Sequence, residues 1–136
     1  MESEKFTGSC LCGTVRFEIT PPLSGFRYCH CSRCRKASGS AHAANVFLPQ
    51  GQFAWRAGEA SVTRFQLPGA KRFSVWFCSR CGTRVPHKIP DRDEYLVPAG
   101  ILDQDPVKRP ENSIFWGSRA SWYVEPGEMP KFTEYP

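Results

Sequence analysis

The sequence has no apolar run near the ~18 residues that a membrane-spanning helix needs, which excludes a helical membrane protein. Its opening stretch, Met1 to Thr7, carries no apolar signal segment, so the expectation is a soluble, cytoplasmic protein. No low-complexity tract, linker or composition shift marks a boundary. The 12 prolines and 11 glycines are spread along all 136 residues and punctuate short runs. Residues 1–136 therefore read as one domain, long enough to bury about two thirds of its unfolded surface. Charge of one sign is also scarce. The 18 basic and 13 acidic residues leave a formal +5. That becomes about +2 if seven thiolates hold two divalent ions, because such ligands bind deprotonated. So weak a balance gives little reason to expect a nucleic-acid partner.

Cysteine, by contrast, is plentiful and clustered: Cys10-x-Cys12, Cys29-x-Cys31-x-x-Cys34 and Cys78-x-x-Cys81. A disulfide framework calls for an oxidising compartment and an even count, and this count is odd. A thioredoxin-like redox pair calls for a strand-to-helix setting, whereas turn residues follow Cys81. Spacings of one and two residues instead let the sulfurs of one segment converge on a point, as tetrahedral zinc requires. A closed zinc site takes four protein ligands and a reactive one takes three, so seven cysteines predict two Zn²⁺ per chain.

Between the glycines and prolines the pattern has a period of two. Val15, Phe17 and Ile19 alternate with polar residues over 14–20, and Phe73, Val75 and Phe77 alternate with Arg72, Ser74 and Trp76. Further strands are predicted at 43–48, 52–56, 61–67, 94–99 and 113–116. One short helix is predicted near 32–39, capped by Ser32. The fold class is therefore all-β, built of short, mostly antiparallel strands with the cysteine clusters at strand ends. Gly13 and Gly82 follow Cys12 and Cys81, where a left-handed turn would point backbone amides at sulfur.

The triplet Cys29, Cys31 and Cys34 can supply three sulfurs to one ion within six residues. The pairs Cys10/Cys12 and Cys78/Cys81 then make a closed four-thiolate site that ties distant strands together. A rival zinc ribbon would pair Cys31/Cys34 with Cys78/Cys81. The 43 residues between those pairs exceed the usual range of about 15–20. His42, eight residues after Cys34, is a further candidate ligand for the second ion. His30, lying between two ligands, is expected to point away from their metal, and His87 is expected in a surface loop.

Three thiolates overcompensate a divalent ion, so water bound there should be a poor source of hydroxide. Such a site suits a fourth soft ligand, a substrate thiol held as a nucleophile. Arg33, Arg35 and Lys36 surround the triplet and are candidates for gripping a substrate carboxylate, or simply a solvated basic face. Trp55, Trp76, Trp116 and Trp122 are core or pocket-wall candidates. No general acid or base stands out. The opposing reading is a non-catalytic, zinc-stabilised binding module for nucleic acid or a protein partner.

Three segments carry a family resemblance: Gly8-Ser9-Cys10-Leu11-Cys12-Gly13, Cys29-His30-Cys31-Ser32-Arg33-Cys34-Arg35-Lys36 and Phe77-Cys78-Ser79-Arg80-Cys81-Gly82. With the tail Ser113-Ile114-Phe115-Trp116 through Trp122 and Pro130-Lys131-Phe132, they resemble the glutathione-dependent formaldehyde-activating enzyme and centromere protein V family. The resemblance runs from about residue 5 to 133, and Ser121 stands where the family typically has proline. It implies a β-tent fold around two zinc ions: a structural zinc on Cys10, Cys12, Cys78 and Cys81, and a second on Cys29, Cys31 and Cys34. The activity implied is that of a carbon–sulfur lyase joining glutathione and formaldehyde into S-hydroxymethylglutathione. No glutathione-binding motif transfers with it.

Overall fold

The computed structural model describes residues 4–136. Its strands are β1 (Phe6–Ser9), β2 (Arg16–Ile19), β3 (Gly25–Cys29), β4 (Ala43–Pro49), β5 (Phe53–Ala57), β6 (Val62–Gln66), β7 (Ser74–Cys78), β8 (His87–Lys88), β9 (Glu94–Pro98) and β10 (Asn112–Ile114). Among the described residues there is one α-helix, α1 (Ser32–Ser38). The all-β expectation with a single short helix holds.

Three sheets result: β1-β2-β5, β10-β3-β4-β9-β8 and the hairpin β6-β7. Every pairing is antiparallel except β10 beside β3, which is parallel. The alternation in β2 sends Phe17 and Ile19 inward, while Glu18 is bound by Lys5 and Arg56 at the surface. Those inward residues, with Phe6, meet Phe26, Val46, Leu48 and Val97 of the five-stranded sheet. This is the main core. Each fully buried Phe, Ile or Leu contributes about 1.5–3 kcal/mol there. In β4 three successive residues, Val46, Phe47 and Leu48, are buried, because the strand is central and covered on both faces. Gly8 is required in β1: a Cβ there would run into the Phe17 ring and the Ile101 carbonyl. A second, smaller core gathers Cys10, Val15, Cys78 and Val85 beneath Trp55 and Trp76.

Several local expectations need correction. The helix is capped by Cys31, not Ser32; the Cys31 sulfur accepts the Cys34 amide at 3.3 Å. The tail strand ends at Ile114, because Phe115 turns into the left-handed region at φ 54. His87 is not a surface-loop residue. It lies half-buried in β8 and stacks on Trp76 at 6.1 Å between ring centres.

Candidate metal centres

All seven cysteines are free thiols. Two groups form, Cys10/Cys12/Cys78/Cys81 and Cys29/Cys31/Cys34, and within each the sulfurs lie within 4.8 Å of one another. The zinc-ribbon pairing is thereby overturned, since Cys31 and Cys34 converge with Cys29 instead.

The four-sulfur group is built by two strand ends. Cys10 and Cys12 follow β1, and Cys78 closes β7 with Cys81 one turn later. Sγ–Sγ distances of 3.6 Å (Cys10–Cys12) and 4.0 Å (Cys12–Cys78) match the edge of about 3.8 Å of a tetrahedron with ~2.3 Å zinc–sulfur bonds. The donor set therefore fits zinc. Gly13 (φ 82) and Gly82 (φ 81) take the expected left-handed turns. The amides of Val15 and Arg80 point at the sulfurs of Cys10 and Cys78, at 3.2 and 3.4 Å. A hydrogen bond with the Thr83 hydroxyl is the main cause that lowers Cys81 to about 5, and the side-chain contact with Thr14 is the main cause that lowers Cys12. Burial raises Cys78. The polar periphery thus favours thiolate where solvent does not.

The three-sulfur group sits where β3 runs into α1. Cys29 ends the strand, Cys31 caps the helix and Cys34 lies in its first turn. A hydrogen bond with Cys34 lowers Cys29 to about 6, while the same bond and burial push Cys34 up. Arg84 packs near enough for its charge to act on Cys34, and burial lowers its own pKa. The Nε atoms of Arg84 and Arg35 are buried without a hydrogen-bond partner. Three thiolates around a divalent ion carry one net negative charge, and the Arg84 guanidinium stands where it would be offset. This donor set also fits zinc, with three protein ligands rather than four.

Of the predicted substrate residues, Arg33 and Lys36 are exposed on α1, whereas Arg35 is half-buried. His42 does not converge with the triplet. Its ring stacks on Tyr28 at 4.2 Å and its Nδ1 meets the Ala43 carbonyl at 3.1 Å. His30 points into an aromatic cluster, 5.0 Å from Trp116 and 5.1 Å from Tyr123, and is fully buried. The tail segment is thus packed against the chain between two candidate ligands. Arg84 was not anticipated from sequence. Its only local mark is its place three residues after Cys81.

The glutathione-dependent formaldehyde-activating enzyme family matches residues 5–118 of the chain. A protein of Halomonas elongata named "putative glutathione-dependent formaldehyde-activating enzyme" is 30% identical over 141 aligned residues, covering 95% of this chain and 87% of that protein. A crystal structure of a Rhodobacter sphaeroides protein superposes with a TM-score of 0.60 at 25% identity, covering 79% of this chain and 98% of the other. On the match to its sequence, the chain belongs to the glutathione-dependent formaldehyde-activating enzyme family, a family of carbon–sulfur lyases.

Proposed function

We propose that the chain is a single-domain, two-zinc enzyme of the cytoplasm that joins a thiol to a carbonyl carbon. Glutathione is the thiol and formaldehyde the simplest carbonyl, giving S-hydroxymethylglutathione. One observation carries the reading: the second cluster has three converging sulfurs rather than four, and it lies at the start of a helix bearing exposed cations. Cys10, Cys12, Cys78 and Cys81 hold the structural zinc; Cys29, Cys31 and Cys34 hold the second.

Zinc at the second site supplies a soft, Lewis-acidic position that favours an ionised substrate thiol. Around it the chain's own residues bind and orient. Arg33 and Lys36 face the carboxylates of the thiol substrate. Arg84, whose charge reaches Cys34, balances the thiolate charge, with half-buried Arg35 beside it on the helix. In the reaction the thiolate sulfur forms a bond to the carbonyl carbon, and the C=O π pair moves to oxygen. The thiol gives its proton to solvent on ionising, and the new alkoxide oxygen takes one back from water, so no net proton is gained or lost. The reverse step breaks the same bond, and neither direction needs a redox partner.

Elemental analysis should find about two zinc ions per chain, and calorimetry should show glutathione binding far more tightly than S-methylglutathione. Indifference to S-methylation would show that the sulfur does not meet the second site. Binding of neither would favour a non-catalytic module.

A further inference from the structure

One face of the β6–β7 hairpin packs its apolar end into the smaller core, and the other face carries apolar side chains that stay partly exposed. Opposite partners in an antiparallel pair share a face. Val62 with Cys78 and Arg64 with Trp76 therefore form one face, which joins the smaller core. Phe65 with Val75 and Thr63 with Phe77 form the other, extended by Leu67 beside Phe73. Phe65 on this second face is 51% exposed. The face floors a trough of about 460 Å³ whose side wall is α1, through Arg33, Lys36 and Ala37.

Two features say what fits it. First, the trough adjoins the three-cysteine cluster. Its wall is the helix that carries Cys34, and one of its floor residues, Phe77, is the bridge partner of Arg84. Side chains of bridged residues leave the same face, so Phe77 and Arg84 together connect the trough to Cys34. Second, its rim is cationic. The Arg33 guanidinium lies 6.0 Å above the Phe73 ring, and Lys71 and Arg72 line the adjoining hollow. Arg72 is occupied by Asp91, whereas Arg33, Lys36 and Lys71 have no ion pair among the described residues.

A one-carbon carbonyl fills about the volume of a water molecule, ~30 Å³. The trough has the size of a small-molecule site, about 300–1,000 Å³. We propose that it holds the apolar chain of the carbonyl substrate, so that the enzyme's preferred electrophile is a medium-chain or aryl aldehyde joined to an anionic thiol. The inference rests on the reaction proposed above. The bond made is unchanged: sulfur to carbonyl carbon, with the oxygen protonated from water. The aldehyde carbon meets the sulfur beside Cys34, its chain lies along Phe77, Val75 and Phe65, and the thiol's carboxylates meet Arg33 and Lys36.

Decanoate, an apolar chain with one anionic end, probes the trough without any chemistry. Titrated into the zinc-loaded protein, it should shift the amide resonances of Phe65, Phe73 and Val75, where acetate has no effect. Affinity should rise about twofold per added methylene, half the logarithmic gain of full burial, because the trough is open on one side. Phe65→Glu, at a half-exposed position that the fold does not need, should weaken decanoate at least tenfold; Lys36→Glu should weaken it several-fold. With glutathione as the thiol, octanal should exceed formaldehyde at least tenfold in kcat/KM, and Phe65→Glu should abolish that ratio. Decanoate without effect on these resonances, or octanal no better than formaldehyde, overturns the assignment. If decanoate binds in the trough but neither aldehyde is consumed, the carbon–sulfur reaction falls and with it the electrophile proposed here, leaving only an apolar-anion site. A dimer that buries Phe65 and excludes decanoate would also overturn it.

Discussion

The hydroxyl oxygen of Thr83 accepts the backbone N–H of Leu11 at 3.0 Å. The same hydroxyl lies 3.3 Å from the Cys81 sulfur. A single side chain thus spans the four-cysteine group, linking the knuckle after β1 to the one after β7.

Thr83→Val keeps the shape and removes both hydrogen bonds. The expected cost is about 1–2 kcal/mol, a loss of several degrees in Tm. Zinc should also leave this group faster under a chelator, since Cys81 loses the main cause of its lowered pKa. Thermal unfolding and chelator-release kinetics of Thr83→Val against the parent check both.

The two clusters should divide stability from chemistry. Cys10 and Cys78 belong to the smaller core, so metal held there would join the ends of β1 and β7, which belong to different sheets. Structural zinc in small domains supplies on the order of 10 kcal/mol of folding energy, as much as a whole domain's net stability. Cys10→Ser or Cys81→Ser should therefore unfold or aggregate the protein. Cys34→Ser should stay folded, with Tm within a few degrees, one zinc fewer and altered glutathione binding. Equal destabilisation by both kinds of variant would contradict the division.

How much of this was legible in the sequence follows from how local each feature is. The two cysteine groups could be read from spacing because one or two intervening residues fix where sulfurs point. Strands with clean alternation, such as that of Phe17 and Ile19, were legible for the same reason. By contrast β3, with Gly25, Phe26, Arg27, Tyr28 and Cys29, has no period of two, because its neighbours in the five-stranded sheet decide its burial. The parallel pairing of β10 with β3 depends on chain segments some 85 residues apart, as in the bond from the Phe26 amide to Glu111. His87 looked like loop because Pro86 precedes it, yet pairing with Leu96 and stacking on Trp76 place it in a strand. Arg84 and Thr83 acquire their roles only when the knuckle after β7 folds back.

His87 should make stability depend on pH. Burial is the main cause that lowers its pKa from 6.5 to about 4, with the nearby Arg84 charge adding to it. In the unfolded chain the imidazole binds a proton near pH 6.5, and in the folded chain only near 4. Between those values the unfolded state holds more protons, so stability rises with pH across the window and falls on acidification. The loss is at most about 3 kcal/mol, reduced by solvent screening. His87→Phe keeps an aromatic ring against Trp76 and removes the titration. Denaturant unfolding at several pH values should show a shallower slope for the variant; parallel slopes would show that His87 titrates normally.

His30 offers the sharpest contrast between shape and polarity. It is fully buried, and neither ring nitrogen has a hydrogen-bond partner among the described residues. Burial lowers its pKa, so the ring is neutral, and its contacts with His42, Trp116 and Tyr123 are those of an aromatic plate. A buried polar atom without a partner costs about 1–3 kcal/mol, and an apolar ring only slightly larger avoids that cost. His30→Phe should therefore be neutral or stabilising by about 1 kcal/mol and should retain both zinc ions. His30→Ala opens a void beneath the tail and should cost about 3 kcal/mol or more, by analogy with truncating a buried aromatic ring. Because the ring lies between Cys29 and Cys31, its loss should also loosen the second site, seen as faster alkylation of Cys34. If His30→Phe were instead as damaging as His30→Ala, the imidazole nitrogens would have to be making a bond, and the plate would be a polar anchor of the three-cysteine cluster.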